Sequence, residues 1–177
     1  MIDEILNYSL IESKGFSLLK KQTDIDSIVE KMRRLYEPAA FNKGITLTIQ
    51  NENIDSPVSV DREKFEQIIG NLLSNAVKFT KKGGNVMAKL RIDSNDEGNF
   101  LVLTVQDTGI GMNKKVLSTL FEGNREHSAE GTSGEKNSGI GLHIIKNFVD
   151  LHEGTINVES ETGSGTKFSI RIPLSPD

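Results

Sequence analysis

Apolar residues recur every three or four positions along three stretches of the chain, the spacing of a helix with one buried face. Ile25, Ile28, Val29, Met32, Leu35 and Tyr36 mark the first helix. Asp24 is a natural N-cap for it, Gly44 a natural stop just beyond Asn42, and Pro38 is expected to kink its last turns. Phe65, Ile68, Ile69, Leu72, Leu73, Ala76 and Val77 make the core face of a second helix, over residues 62–80. A third spans 140–151 and is closed by Gly154. Near the N-terminus, Ile2, Ile5, Leu6, Tyr8, Leu10 and Ile11 form a shorter helical pattern that ends near Gly15. A helix this short is marginal in water and must lean on something.

Between the helices the period changes to two. Alternation predicts strands at 45–50 and 58–60, a hairpin of 86–92 with 100–106 joined through 94–99, and a final hairpin of 156–159 with 167–172. Strands and helices mix without strict alternation, which argues against a doubly wound parallel sheet. The expected fold class is α/β of the α+β type: a two-layer sandwich whose mixed, mostly antiparallel sheet is covered on one face by three helices. There is no internal repeat.

Composition narrows the classes. A chain of 177 residues can bury one sizeable core. A net charge of −4 disfavours nucleic acid as partner, which would call for a basic face. The absence of cysteine removes disulfides, thiolate metal sites and thiol nucleophiles. No apolar run approaches the roughly 20 residues that span a bilayer, and no signal-peptide pattern opens the chain. The expectation is a cytoplasmic domain without direct membrane contact.

The second helix carries the first chemical signal. Gln67, Asn71, Asn75 and Lys78 fall three or four apart and line up opposite the core face. A solvated face would be better made of Glu or Lys, because asparagine gives up helix propensity. A side-chain amide oxygen is a neutral, hard ligand suited to Mg²⁺, and a lysine one turn on can meet phosphate charge.

Three glycine clusters follow: Asp107-Thr-Gly-Ile-Gly111, Asn137-Ser-Gly-Ile-Gly-Leu142 and Thr162-Gly-Ser-Gly-Thr166. The first lacks the third glycine and the βαβ setting of a dinucleotide fingerprint. The second opens a helix, where Gly139 and Gly141 leave backbone N–H groups free for phosphate oxygens. No Gly-Lys-Ser/Thr ends it, so it is not a Walker loop. Between the two, 123–138 contains Arg125, Lys136 and almost nothing apolar. It reads as a plain linker or, preferably, as a mobile lid that closes over phosphates when they meet Lys136 or Arg125. Gly163 and Gly165 serve best as the turn of the last hairpin.

The asparagine pair and the three clusters, in this order and at these separations, resemble the ATP-binding domain of histidine kinases and its relatives in the gyrase, Hsp90 and MutL superfamily, from about Asp24 to Leu174. The resemblance implies the Bergerat-type ATP-binding fold, with ATP and Mg²⁺ as cofactors. It assigns Asn75 to the metal, Asn71 to its support, Lys78 to the phosphates and Phe79 to the side of the nucleotide. Asp107 would accept a hydrogen bond from the adenine amine, with Gly109 and Gly111 allowing backbone approach to the base. Lys136, Gly139, Ile140, Gly141 and Leu142 would border the phosphates, and Thr166 matches the last family box.

It also implies a division of the chain. Residues 1–22 resemble the end of a dimerisation helix and its linker, and 23–177 the catalytic domain. The partners implied are the phosphoacceptor hairpin of a homodimeric parent kinase and a downstream receiver domain; the isolated domain would be a monomer. Many members carry Phe-x-Pro-Phe before the lid, whereas this chain has Phe121-Glu-Gly-Asn124, one aromatic anchor instead of two. Hydrolases of the superfamily place a glutamate where Asn71 stands. An amide accepts no proton near neutral pH, so water is a poor acceptor here. His127, His143 and His152 lack the His-(Asp/Glu)-x-x-x-Pro setting of a phosphoacceptor and read as surface residues. Two other readings remain open, a non-catalytic nucleotide sensor and a serine kinase of the anti-sigma type.

Overall fold

A computed structural model describes residues 17–121, 131–134 and 141–174. The helical pattern of residues 2–11 lies outside them. Helix α1 (Ile25–Lys43) starts where the Asp24 side chain accepts from the Asp26 amide. It continues through Pro38 and ends at Gly44, whose φ of +68° lets its N–H reach the carbonyls of Ala40 and Phe41. Helix α2 (Arg62–Phe79) is capped by Asp61, whose carboxylate accepts from the Lys64 amide. Helix α3 (Lys114–Ser118) is short and was not expected; α4 (Gly141–Leu151) is the third long helix.

Strands β2 (Thr46–Asn51), β4 (Asn85–Asn95), β5 (Gly98–Asp107), β7 (Gly165–Leu174) and β6 (Thr155–Glu161) form one sheet in that spatial order. Only β2 and β4 run parallel. Strands β1 (Lys21–Thr23) and β3 (Val58–Val60) make a separate antiparallel pair. The boundary expected after residue 22 thus falls within β1. The β4–β5 hairpin is tighter than its sequence suggests, because the ladder continues to Asn95 and Gly98 and leaves a two-residue turn.

The three long helices lie on one face of the five-stranded sheet. Phe65, Ile68, Ile69, Leu72 and Leu73 of α2 are fully buried against Leu90, Leu101, Leu103 and Ile170. Each such side chain contributes about 1.5–3 kcal/mol of burial free energy. The two-layer arrangement expected from the sequence is the one found.

One histidine is not where the sequence places it. His152 is fully buried rather than at the surface. Its Nδ1 lies 2.7 Å from the Phe148 carbonyl, so it carries the proton, and Nε2 accepts from the Asp61 amide at 3.4 Å. The ring thereby joins the end of α4 to the start of α2. Burial pushes its pKa below the usual histidine value, against the hydrogen bond to Phe148 and the nearby Asp61 charge. His143 is half-buried, with Nδ1 3.3 Å from the Phe121 carbonyl; His127 lies outside the described residues.

Candidate functional site

Two contacts link the described residues singled out in the sequence: the loop after Asp107 meets the end of α2, and Asn71 meets the start of α4. Asp107 is the last residue of β5 and lies opposite Thr166 of β7. Its side chain is 7 % exposed. Oδ1 accepts from the amides of Gly109 (2.8 Å) and Thr166 (3.2 Å), while Oδ2 accepts nothing among the described residues. Burial raises the pKa of this carboxyl above its usual value, and the two amides pull the other way. The result is a fixed, water-poor carboxylate with one oxygen open to a donor.

Gly109 and Gly111 prove necessary for a different close approach from the one expected. A Cβ on Gly109 would overlap the Phe79 carbonyl, and one on Gly111, at φ +62°, would overlap the Glu161 carbonyl. Both glycines let the loop after β5 pack against the chain's own backbone. The Ile110 amide, between them, donates to the Phe79 carbonyl at 3.1 Å. Asp107 is therefore tied to the end of the asparagine helix. Thr166 is braced in turn by Ser160, whose Oγ is 2.9 Å from its Oγ1.

On α2, Asn71, Asn75, Lys78 and Phe79 are half-buried, and Gln67 is exposed. Asn71 Oδ1 lies 3.3 Å from the position a Cβ on Gly141 would take. Asn71 thus faces the N-terminal turn of α4, and the positive end of a helix favours anions. The Lys78 side chain has no carboxylate partner among the described residues. Leu142 packs partly buried against the core. Lys136, Gly139 and Ile140 lie outside the described residues. Glu66 shares a groove with Gln67 and Asn71 but is engaged by Lys31 (2.5 Å) and Arg62 (2.8 Å). Among the described residues, no three His, Asp or Glu side chains cluster closely enough to hold a metal.

Two participants gave no signal in the sequence. Lys43 Nζ, from the last turn of α1, donates to the carbonyls of Val77 (2.9 Å) and Lys78 (2.6 Å). Thr132 donates to the Lys78 carbonyl from its amide and from Oγ1, both at 3.0 Å, and Oγ1 is 2.9 Å from the Thr80 carbonyl. Gly131 beside it is buried. The stretch read as a mobile lid is therefore anchored at this one described point.

These features define a two-layer α/β domain with a buried carboxylate at the end of β5, tied through its loop to the end of α2. Residues 60–176 match the family of histidine kinase-, DNA gyrase B- and HSP90-like ATPases. The chain belongs to that family. The autoinducer 2 sensor kinase/phosphatase LuxQ of Vibrio harveyi is 36 % identical over 98 % of the chain, and the sensor protein SrrB of Staphylococcus aureus 31 % over 98 %. The chain spans only 20 % of the former and 29 % of the latter. Among solved structures, full-length ShkA in complex with AMPPNP superposes with a TM-score of 0.81 at 24 % identity, over 99 % of this chain and 35 % of that one. The histidine kinase AdeS of Acinetobacter baumannii gives 0.76 at 20 % identity, over 99 % and 77 %. The fold and family implied by the asparagine and glycine motifs are borne out. No helix among the described residues is long and apolar enough to cross a membrane.

Proposed function

We propose that this chain is the catalytic domain of a two-component sensor kinase, which holds Mg-ATP and presents its γ-phosphoryl group to a histidine on a hairpin outside the chain. The observation that carries the reading is the meeting of Asn71 with Gly141, which puts a side-chain amide against a helix N-terminus. The open Oδ2 of Asp107 suits the exocyclic amine of adenine. Guanine offers an oxygen at that place, which a carboxylate repels.

The donor set fits the group. Asn75 with Asn71 would hold Mg²⁺ through neutral oxygens, as suits a small cation that keeps water and phosphate oxygens in its shell. Lys78, Gly141 and Lys136 would take phosphate charge. Mg²⁺ held there would supply charge neutralisation for the phosphates. The protein's own work is positioning and charge complementarity. Asn71 supplies no base for water, and Glu66 is engaged in ion pairs, so transfer to a side chain is favoured over hydrolysis.

The test uses γ-labelled ATP with this chain alone and with the hairpin of its parent, attached or separate. Label should appear on the hairpin as acid-labile phosphohistidine, more efficiently when tethered. Stable label on this chain alone contradicts the reading. Nucleotide binding without label on an attached hairpin leaves a nucleotide sensor that gates a protein partner. The receiver domain downstream, a homodimeric parent and a cytoplasmic setting belong to the same proposal.

A further inference from the structure

The last turn of any helix leaves carbonyls without intrahelical donors. At the end of α2 every one of them finds a donor from a different part of the chain. Val77 is met by Lys43, Lys78 by Lys43 and Thr132, Phe79 by the Ile110 amide, and Thr80 by the Thr132 hydroxyl. Three segments distant in sequence therefore converge on the residues that carry the phosphate-side lysine and the nucleotide-side aromatic. Lys43 belongs to α1 and Ile110 to the loop after Asp107. Thr132 alone comes from the stretch between the first two glycine clusters.

Thr132 differs from the other two in kind. Its hydroxyl has one proton and faces two carbonyls, Lys78 at 3.0 Å and Thr80 at 2.9 Å, so it serves one fully at a time or shares between them. Its amide holds Lys78 independently. A side chain that spans residues 78 and 80 fixes the backbone on both sides of Phe79. The polypeptide on either side of Thr132 leads to the first glycine cluster in one direction and to the second in the other.

We propose that Thr132 is a positioning residue for nucleotide binding. Acting through the backbone of Lys78 and Thr80, it holds Lys78 and Phe79 in the geometry that the ligand uses. The inference rests on the Mg-ATP reading, and nothing in its argument requires Thr132 to touch the ligand.

The experiment compares the wild-type chain with Thr132→Val, which keeps shape and amide but removes the hydroxyl, and Thr132→Ser, which keeps the hydroxyl. Mg-ATP affinity by calorimetry should fall about 3- to 10-fold in the valine variant, the scale of one lost hydrogen bond, and return to within about twofold of wild type in the serine variant. Because the lost bond also exists in the free protein, the melting temperature without ligand should fall by a few degrees at most in the valine variant, too little to unfold it at the temperature of the titration. A valine variant with wild-type affinity overturns the proposal. So does one whose affinity falls only in step with a lowered melting temperature, or a serine variant no better than valine. Failure of the wild-type chain itself to bind Mg-ATP would instead sink the functional reading beneath it.

Discussion

The amide of Thr166 donates to Oδ1 of Asp107 across 59 positions of sequence, at 3.2 Å. This bond and the one from Gly109 hold the carboxylate still, and its second oxygen has no donor among the described residues. Replacing Asp107 by Asn keeps the size but can turn a donor toward the adenine amine. The expected loss is roughly 1–3 kcal/mol of ATP binding, measured by calorimetry; equal affinity in mutant and wild type would remove Asp107 from the site. Burial holds the Asp107 pKa above the usual carboxylate value, so affinity should decline as pH falls through that raised pKa and the acceptor is protonated. The effect on the free protein has the opposite sense. The folded state keeps the proton to higher pH than the unfolded chain, so stability declines as pH rises from about 3.9 through the folded pKa.

Asn75 separates metal from scaffold. It lies half-buried on the stripe, and Asn75→Ala should weaken ATP binding only when Mg²⁺ is present. Titrations with ADP in EDTA and in excess Mg²⁺ make the comparison. An equal loss in both shows that Asn75 shapes the helix and does not hold the ion.

His152 predicts a pH dependence at the junction of α4 and α2. Its folded pKa lies below the unfolded value of about 6.5, because the buried ring resists charge. Between those two values the unfolded chain binds a proton that the folded one refuses, so stability is complete above about pH 6.5 and falls as pH drops. The slope approaches about 1.4 kcal/mol per pH unit for one proton. Asp61, which caps α2 and meets His152 through its amide, adds a second loss at lower pH. Burial raises its pKa, but the Lys64 side chain and the amides of Leu19 and Lys64 more than offset that and hold it below normal. Stability from this carboxylate is therefore lost as pH falls from about 3.9 through its folded pKa. Urea unfolding of wild type and His152→Gln between pH 5 and 8 checks the first effect, which should vanish in the variant.

Much of this was legible in the sequence because it rests on short-range rules. The spacing of Asn71, Asn75 and Lys78 fixes a stripe once α2 is recognised, and Asp24 with Gly44 brackets α1. Asp107 could be read as the end of a strand. What stayed hidden depends on residues far apart. Lys43 stands just before a helix-ending glycine, where a lysine ordinarily serves its own helix. Its acceptors belong to α2, 34 and 35 positions on. Thr132 sits in a polar stretch with no periodicity, and nothing local distinguishes it from Thr119. His152 resembles a surface histidine next to a helix end until the Asp61 amide, 91 positions away, is brought to its ring. What presses on Gly109 and Gly111 is protein backbone that no local pattern reveals.

The central strand β5 joins two very different kinds of neighbour. With β4 it closes across a two-residue turn, whereas with β7 it must wait for residues 165–174. Pairing of the first kind is fast, and closing the long loop is slow and entropically opposed until other contacts reward it. A chain emerging from the ribosome as far as Glu161 already holds Asp107, both asparagines and Lys78, but has no Thr166 amide to fix the carboxylate. Fixing of the Asp107 carboxylate therefore coincides with arrival of β7. Nucleotide should then leave the refolding rate of the full chain nearly unchanged and slow its unfolding, a difference that stopped-flow kinetics would read directly. On the proposed reading, a nucleotide that needs the fixed carboxylate would stabilise the domain only once β7 has arrived.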